Sequence, residues 1–127
     1  ERISRVARGE ECGWPEYNRL LHNPVENAVV VRGNMVLLEG NYLLLDREGW
    51  RELADFADYT IRITADEAML KERLVERKIK SGTKDEAARR FVEFSDMANV
   101  RECLEYTKEA DLCLALGQDG GYRVAGR

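Results

Sequence analysis

The chain has 127 residues, 44% of them apolar and 35% charged, a composition typical of one folded domain rather than of a disordered or fibrous chain. Its net charge of -4 argues against nucleic-acid binding over the whole surface. No apolar stretch approaches the ~20 residues that span a bilayer, so no membrane partner is expected. The cysteines (Cys12, Cys103 and Cys113) are odd in number and widely spaced. They indicate neither a disulfide framework nor a zinc site and favour the reducing cytoplasm.

The N-terminal part of the chain predicts one helix, one loop and two strands. Residues 1–8 form the helix, which Gly9 ends, and residues 9–24 form a loop because they contain two prolines and Gly13. Short apolar runs at 28–31 and 35–38 predict strands separated by a turn. The second run is apolar on both faces, which is typical of a strand buried within a parallel sheet.

The rest of the chain predicts alternating helices and strands. A short helix at 50–56 precedes a strand at 59–63, and Thr64 or Asp66 caps a helix over 67–80. Ser81, Gly82 and Thr83 break that helix. The elements predicted after the break are helices at 84–94 and 98–106, a strand at 112–116 and a hairpin into 122–124. Such alternation predicts a single α/β domain over residues 1–127 with a parallel sheet and a C-terminal β-hairpin.

Positive charge is concentrated in residues 71–90, which contain eight basic and four acidic side chains. One interpretation is a solvated helix face with ion pairs four residues apart. The other is a site for a local anionic ligand. Arg73, Arg77, Lys80 and Lys84 follow one another at spacings of four, three and four, which predicts one helix face, and guanidinium groups pair bidentately with phosphate oxygens.

Glu39 is the carboxylate that the pattern places at the carboxyl end of the buried strand at 35–38, followed by Gly40. Ligands of open α/β sheets bind at that edge. The carboxylate could therefore hold magnesium or orient a substrate hydroxyl. The alternative is an acidic residue that merely turns the strand into a loop.

Seven segments carry a family resemblance. They are PEYNRLLHNPVENA, VLLEGNYLLLD, GW at residues 49–50, ADYTIRI, RLVERKIKSG, FVEFSDMANV and EADLCLAL, in this order along the chain. From residue 15 to the end, the chain resembles the C-terminal half of the P-loop kinases of the uridine kinase, phosphoribulokinase and bacterial pantothenate kinase group. Within that group it is similar to the nucleoside/nucleotide kinase-like or fructose-kinase-like branch. The resemblance implies a parallel-sheet P-loop kinase fold with helices on both faces.

The same resemblance implies roles for the charged residues. Residues at about 73–90 look like the lid over the ATP phosphates, with Arg73 and Arg77 as catalytic lid arginines, and Lys80 and Lys84 as further ATP contacts. Residues 35–40 look like the acidic strand end, where Glu39 acts in catalysis and holds Mg²⁺ indirectly. The implied cofactors are ATP and Mg²⁺.

The resemblance also implies an acceptor site. The segment at 15–27 looks like the acceptor-substrate loop, with Tyr17, Arg19 and His22 as its binding residues. Arg19 stands where the pantothenate kinases have a histidine and His22 near their tyrosine, which disfavours pantothenate itself. Asn99 resembles an asparagine that faces the acceptor, although a helix N-terminal cap is an equal alternative.

One motif of the family is missing from the sequence. No G-x-x-x-x-G-K-[ST] occurs in it, although the backbone amides and lysine of that loop cradle the phosphates of ATP. The expectation is therefore the C-terminal part of a kinase that transfers the γ-phosphoryl group to a hydroxyl of a small metabolite such as a sugar or nucleoside. Alone it would be inactive, and unpaired sheet edges would favour a homo-oligomer. The alternative is a non-catalytic binding or interaction module derived from such a kinase.

Overall fold

The structure, a computed structural model, describes residues 1–18 and 23–125, which form two units. The first unit comprises Glu1–Gly40 and Glu52–Asp58, and the second comprises the rest of the described chain. The elements in chain order are α1 (Arg2–Ala7), β1 (Cys12–Asn18), β2 (Asn23–Val31), a 3-10 helix (Arg51–Phe56), β3 (Ile61–Ala65), α2 (Glu67–Lys80), α3 (Asp85–Phe91), a π turn (Val92–Asp96), α4 (Met97–Tyr106), β4 (Leu112–Leu116) and β5 (Tyr122–Val124).

The first unit is built on an antiparallel hairpin of β1 and β2, whose register runs from Cys12 opposite Val31 to Asn18 opposite Asn23. The predicted loop at 9–24 is therefore wrong over 12–18. Pro15 misled the prediction, because it lies at a bulge between Trp14 and Glu16, where a strand tolerates a residue without an N–H group.

The predicted strand at 35–38 is also wrong. These residues have no ladder partner within the described ranges, and Met35 and Leu37 are 93% and 91% exposed. A strand needs a neighbour for its backbone groups, and a run that is apolar on both faces needs layers on both sides. The described residues supply neither, so Glu39 does not follow a strand.

The second unit confirms the α/β prediction. Strands β3 and β4 pair in parallel, with Ile61 opposite Leu112, and β5 pairs antiparallel with β4 in the predicted hairpin. The sheet order is β3–β4–β5, and the chain crosses from β3 to β4 through the helices. The amino ends of the parallel strands are joined by Asp111, whose Oδ2 accepts hydrogen bonds from the N–H and the hydroxyl of Thr60, both at 2.7 Å.

Helix α2 begins and ends where the sequence predicts. Of the two candidate caps, Asp66 is the one that forms, since its carboxylate accepts a hydrogen bond from the N–H of Met69 at 3.0 Å. The helix ends at Lys80, and Gly82 follows with a φ of 97°, which glycine adopts without steric cost.

The helices predicted at 84–94 and 98–106 are continuous in the structure. The π turn joins α3 to α4, so the helical backbone runs unbroken from Asp85 to Tyr106. This continuous helix packs against α2, and together they form a helical hairpin. Leu74 and Val100 pack against the core of the hairpin, which consists of four fully buried side chains: Val75, Ala88, Val92 and Met97.

Candidate functional site

The strongest candidate site is a row of basic side chains on one face of α2, which we call the basic row: Arg73, Arg77 and Lys80. At 100° per residue these three side chains leave the helix within roughly 60° of one another. All three are exposed. The predicted spacing therefore brings them together.

Lys84 does not belong to the basic row, in contrast to the prediction. It lies beyond the turn at Gly82, in the N-cap position of α3, with extended backbone angles of -63° and 145°. The four-residue spacing from Lys80 does not place the two side chains on one helix face, because the helix has already ended at Lys80.

The guanidinium groups of the basic row have no counter-ion among the described residues. Neither Arg73 nor Arg77 forms a side-chain hydrogen bond or ion pair with residues 1–18 or 23–125. The ammonium of Lys80 lies 3.9 Å from a carboxylate oxygen of Glu76, and both of these side chains are mostly exposed. The surface ion-pair interpretation therefore does not describe the two arginines, which are left available to an anion.

Two other basic residues of the same segment, Lys71 and Arg89, are paired. The ammonium of Lys71 lies 2.6 Å from a carboxylate oxygen of Glu93 and lowers the pKa of that carboxyl group through a hydrogen bond. Arg89 contacts Asp85 at 3.1 Å and Glu72 at 3.4 Å. The hydrogen bond that Arg89 donates to Asp85 is the main cause of the raised pKa of Arg89.

The segment predicted as a lid, at about 73–90, is a helical hairpin with a packed base. It consists of the second part of α2, the turn at 81–84 and most of α3. Val75 and Ala88 fix the base because both are buried in the core. The turn is the part that lies outside this core, and it follows the basic row directly.

Glu39 lies in the first unit, within an exposed segment without regular secondary structure. Within the described ranges no group of three or more potential ligand side chains is positioned to hold a metal ion. A magnesium ion usually uses one or two protein carboxylates together with substrate phosphates and water. The single carboxylate of Glu39 fits that ligand set.

The predicted acceptor residues that the structure describes, Tyr17 and Asn99, belong to different elements. Tyr17 is on β1 opposite Pro24 and is 60% exposed, so the segment at 15–27 includes hairpin strands rather than only a loop. Arg19 and His22 lie outside the described residues. Asn99 is exposed and is the third residue of α4. It is not a helix cap, because the helical backbone continues through it from α3.

Two features escaped the sequence analysis. The π turn has a signal in the spacing of core residues, since Val92 and Met97 are five residues apart where an α-helix spaces its buried side chains by three or four. The Thr60–Asp111 contact also has a signal in the sequence, because the two residues immediately precede the parallel strands. Its hydrogen bonds, above all that from the Thr60 hydroxyl, lower the pKa of Asp111.

Solved structures define the class of fold. The chain superimposes on a protein described as a candidate fructose transport system kinase from Silicibacter sp. TM1040 with a TM-score of 0.78 and 31% identity, over 86% of this chain and 56% of that one. YFH7 from Saccharomyces cerevisiae, described as a candidate P-loop kinase with a circular permutation, gives a TM-score of 0.63 and 27% identity, over 80% of this chain and 33% of that one. The chain thus has a P-loop kinase-like α/β fold.

The sequence relatives include a protein described as a kinase. YggC of Escherichia coli K12, a protein of uncharacterised function, is 41% identical over 122 residues, which are 96% of this chain and 51% of YggC. The ATP-dependent kinase YFH7 of Vanderwaltozyma polyspora is 26% identical over 115 residues, 83% of this chain and 32% of that protein. The chain therefore spans about half of YggC. No protein-family model matches it, and in residues 1–18 and 23–125 no helix has the length and apolarity to cross a membrane.

Proposed function

We propose that this chain is the C-terminal part of an ATP-dependent kinase that transfers the γ-phosphoryl group to a hydroxyl of a small metabolite. Within the P-loop kinases we assign it to the uridine kinase, phosphoribulokinase and pantothenate kinase group, on its fructose-kinase-like branch. Kinase-like relatives at the level of both sequence and structure support the proposal. We also propose that the protein is cytoplasmic and homo-oligomeric, because its cysteines are free thiols and Val36, Leu38 and Ile61 are exposed.

The observation that carries the proposal is the pair of unpaired guanidinium groups of Arg73 and Arg77. Phosphoryl transfer depends on positioning and on stabilising the charge of the transferring group. A guanidinium that is already bound to a carboxylate must exchange that partner before it can bind phosphate, and an unpaired one need not. The basic row is thus prepared to receive the phosphates of ATP.

In this proposal the charged residues have separate roles. Arg73 and Arg77 bind and stabilise the phosphate oxygens, and Lys80 adds positive charge beside them. Lys84, on the far side of the turn, approaches the same anion only from α3. The carboxylate of Glu39 would hold Mg²⁺, which neutralises phosphate charge when it is bound.

The acceptor is a small hydroxyl compound of the sugar, nucleoside or pantothenate type. We assign its binding to Tyr17, Arg19, His22 and Asn99. The description of the Silicibacter protein as a candidate fructose transport system kinase favours a sugar among these acceptors.

A kinetic experiment on the intact protein tests the proposal. Arg77→Ala should lower kcat for phosphoryl transfer from ATP by about 10- to 1,000-fold, with less effect on acceptor binding, because it removes charge stabilisation in the transition state. Arg90→Ala is the matched control. Arg90 is an exposed arginine of α3 that also forms no side-chain hydrogen bond or ion pair with the described residues, but it lies outside the basic row.

The outcomes separate the candidate functions. Loss of turnover in Arg77→Ala but not in Arg90→Ala supports the kinase. Equal turnover of Arg77→Ala and the unaltered protein contradicts the assigned role of the basic row. ATP binding that depends on Arg77 without any phosphoryl transfer would instead support the non-catalytic binding module.

A further inference from the structure

Asp96, the last residue of the π turn, has a buried carboxylate oxygen without a hydrogen bond. Its Oδ2 accepts no hydrogen bond from the described residues, and its side chain is only 21% exposed. The ammonium of Lys78 is 3.8 Å from Oδ2, which is beyond hydrogen-bonding distance. Buried polar atoms without partners are rare and reduce stability, so this one calls for a functional explanation.

Lys78 approaches Asp96 from the packed face of α2. Its ammonium also lies 3.6 Å from the centroid of the Phe91 ring, at the end of α3, where a cation is attracted by the electron-rich ring face. Its side chain is 26% exposed. Lys78 is therefore held between the end of α3 and the end of the π turn.

Lys78 and the basic row belong to the same helix, so a contact that holds the side chain of Lys78 also fixes the direction in which the basic row points. Lys78 follows Arg77 directly, so the two side chains leave the helix roughly 100° apart. A rotation of α2 about its own axis would move both together, taking Lys78 away from Asp96 and turning Arg73 and Arg77 toward a different surface. The Lys78–Asp96 contact opposes this rotation.

We propose that Asp96 and Lys78 are positioning residues that aim Arg73 and Arg77 at an oligophosphate ligand. The unpaired Oδ2 of Asp96 is the acceptor to which Lys78 moves when the basic row holds phosphate, and this shortens the 3.8 Å separation to a hydrogen bond. The inference rests on the proposed role of the basic row, and neither residue touches the phosphate itself.

The test uses the opposite signs of two effects. Asp96→Asn keeps the shape of the side chain and removes one negative charge near a cationic site. Charge alone would then strengthen the binding of an anion. Positioning predicts the reverse, because the neutral amide no longer holds the ammonium of Lys78. For inorganic tripolyphosphate we expect Kd, measured by titration calorimetry, to rise about 3- to 10-fold.

Asp85→Asn is the matched control, since it makes the same substitution on the same helical hairpin. Asp85 contacts Arg89 at 3.1 Å and is 62% exposed, and its carboxylate makes no contact with Lys78 among the described residues. Loss of this charge should leave the Kd of tripolyphosphate unchanged or lower it. A lower Kd in both variants would overturn the positioning role, because charge alone would then explain them.

The double variant Lys78→Met with Asp96→Asn gives a second readout. If the two residues act as a unit, its Kd equals that of Asp96→Asn alone, since the contact is already lost. If only charge matters, the two substitutions oppose each other and the double variant binds like the unaltered protein. Melting temperatures measured in parallel show that each variant is folded.

The same binding measurements test the role of the basic row separately from the role of Asp96. If the unaltered protein does not bind tripolyphosphate, or if Arg77→Ala does not weaken binding, the proposed function fails and this inference fails with it. If Arg77→Ala weakens binding while Asp96→Asn strengthens it, the basic row stands and only the positioning role of Asp96 is wrong.

Discussion

Positively charged side chains lie on both faces of α2, but those on one face have no partner among the described residues and the one on the other face is held by neighbouring side chains. On the open face, Arg73 and Arg77 have no side-chain partner among the described residues. On the packed face, Val75 is buried in the core and Lys78 is held by Phe91 and Asp96. Positive charge on α2 is therefore available to an anion only on the open face, where no carboxylate of the described residues compensates the arginines.

The largest effect on stability should come from the packed face. Met97→Ala removes a side chain that is only 1% exposed, so we expect the free energy of unfolding to fall by about 2–5 kcal/mol. Chemical denaturation measures it. Because Met97 contacts no phosphate in our proposal, kcat at a temperature where the variant is fully folded should remain unchanged. A large loss of kcat in the folded variant would contradict the assignment of stability to the packed face and of function to the open face.

A smaller effect is expected when the open face keeps its charge but loses its geometry. Arg77→Lys preserves one positive charge but not the bidentate fork. We therefore expect kcat roughly tenfold below that of the unaltered protein, yet above that of Arg77→Ala. Turnover should be measured for the three proteins side by side. Full recovery by lysine would show that the basic row acts as a point charge.

The paired arginine next to this region should contribute least to function. Arg89→Ala breaks exposed ion pairs with Asp85 and Glu72, and exposed pairs of this kind contribute little to stability. We expect a small decrease in melting temperature and no change in the Kd of tripolyphosphate. Weaker tripolyphosphate binding would place Arg89 among the phosphate ligands instead.

Acidification should affect the paired residues before the basic row. The pKa of Glu93 is lowered from 4.5, first by the hydrogen bond from Lys71. Its contribution to stability is thus complete above that ordinary value and disappears as the pH falls through the lower pKa of the folded state. Unfolding curves recorded below pH 4.5 should show a slightly shallower loss of stability in Glu93→Gln than in the unaltered protein. Identical curves would mean that the Lys71 contact contributes nothing.

The sequence predicts elements that depend on local signals. Asp66 at the start of α2 and Gly82 after its end set the bounds of that helix, and the turn at 118–121 sets the hairpin of β4 and β5. The parallel pairing of β3 and β4 follows from the alternation of strands and helices.

The errors concern features that depend on distant parts of the chain. The strand predicted at 35–38 needs neighbours that the described residues do not supply, and the strand pairing of β1 outweighs the loop signal of Pro15. For the site, spacing alone brought Arg73, Arg77 and Lys80 together. It failed for Lys84 because a single turn removes the helical relation. The packing of α2 against the helix that follows it decides which arginines are unpaired. The same packing brings Asp96 close to Lys78.

The π turn also constrains which insertions and deletions this helical hairpin can accept. A deletion of one residue within Val92–Asp96 would leave Val92 and Met97 four residues apart, the spacing that keeps two side chains on one face of a regular α-helix. Met97 and Val100 would then keep their places in the core. Relatives that share this packing should therefore have either the same number of residues between Ala88 and Met97 or one fewer, and those with one fewer should have a regular α-helix here.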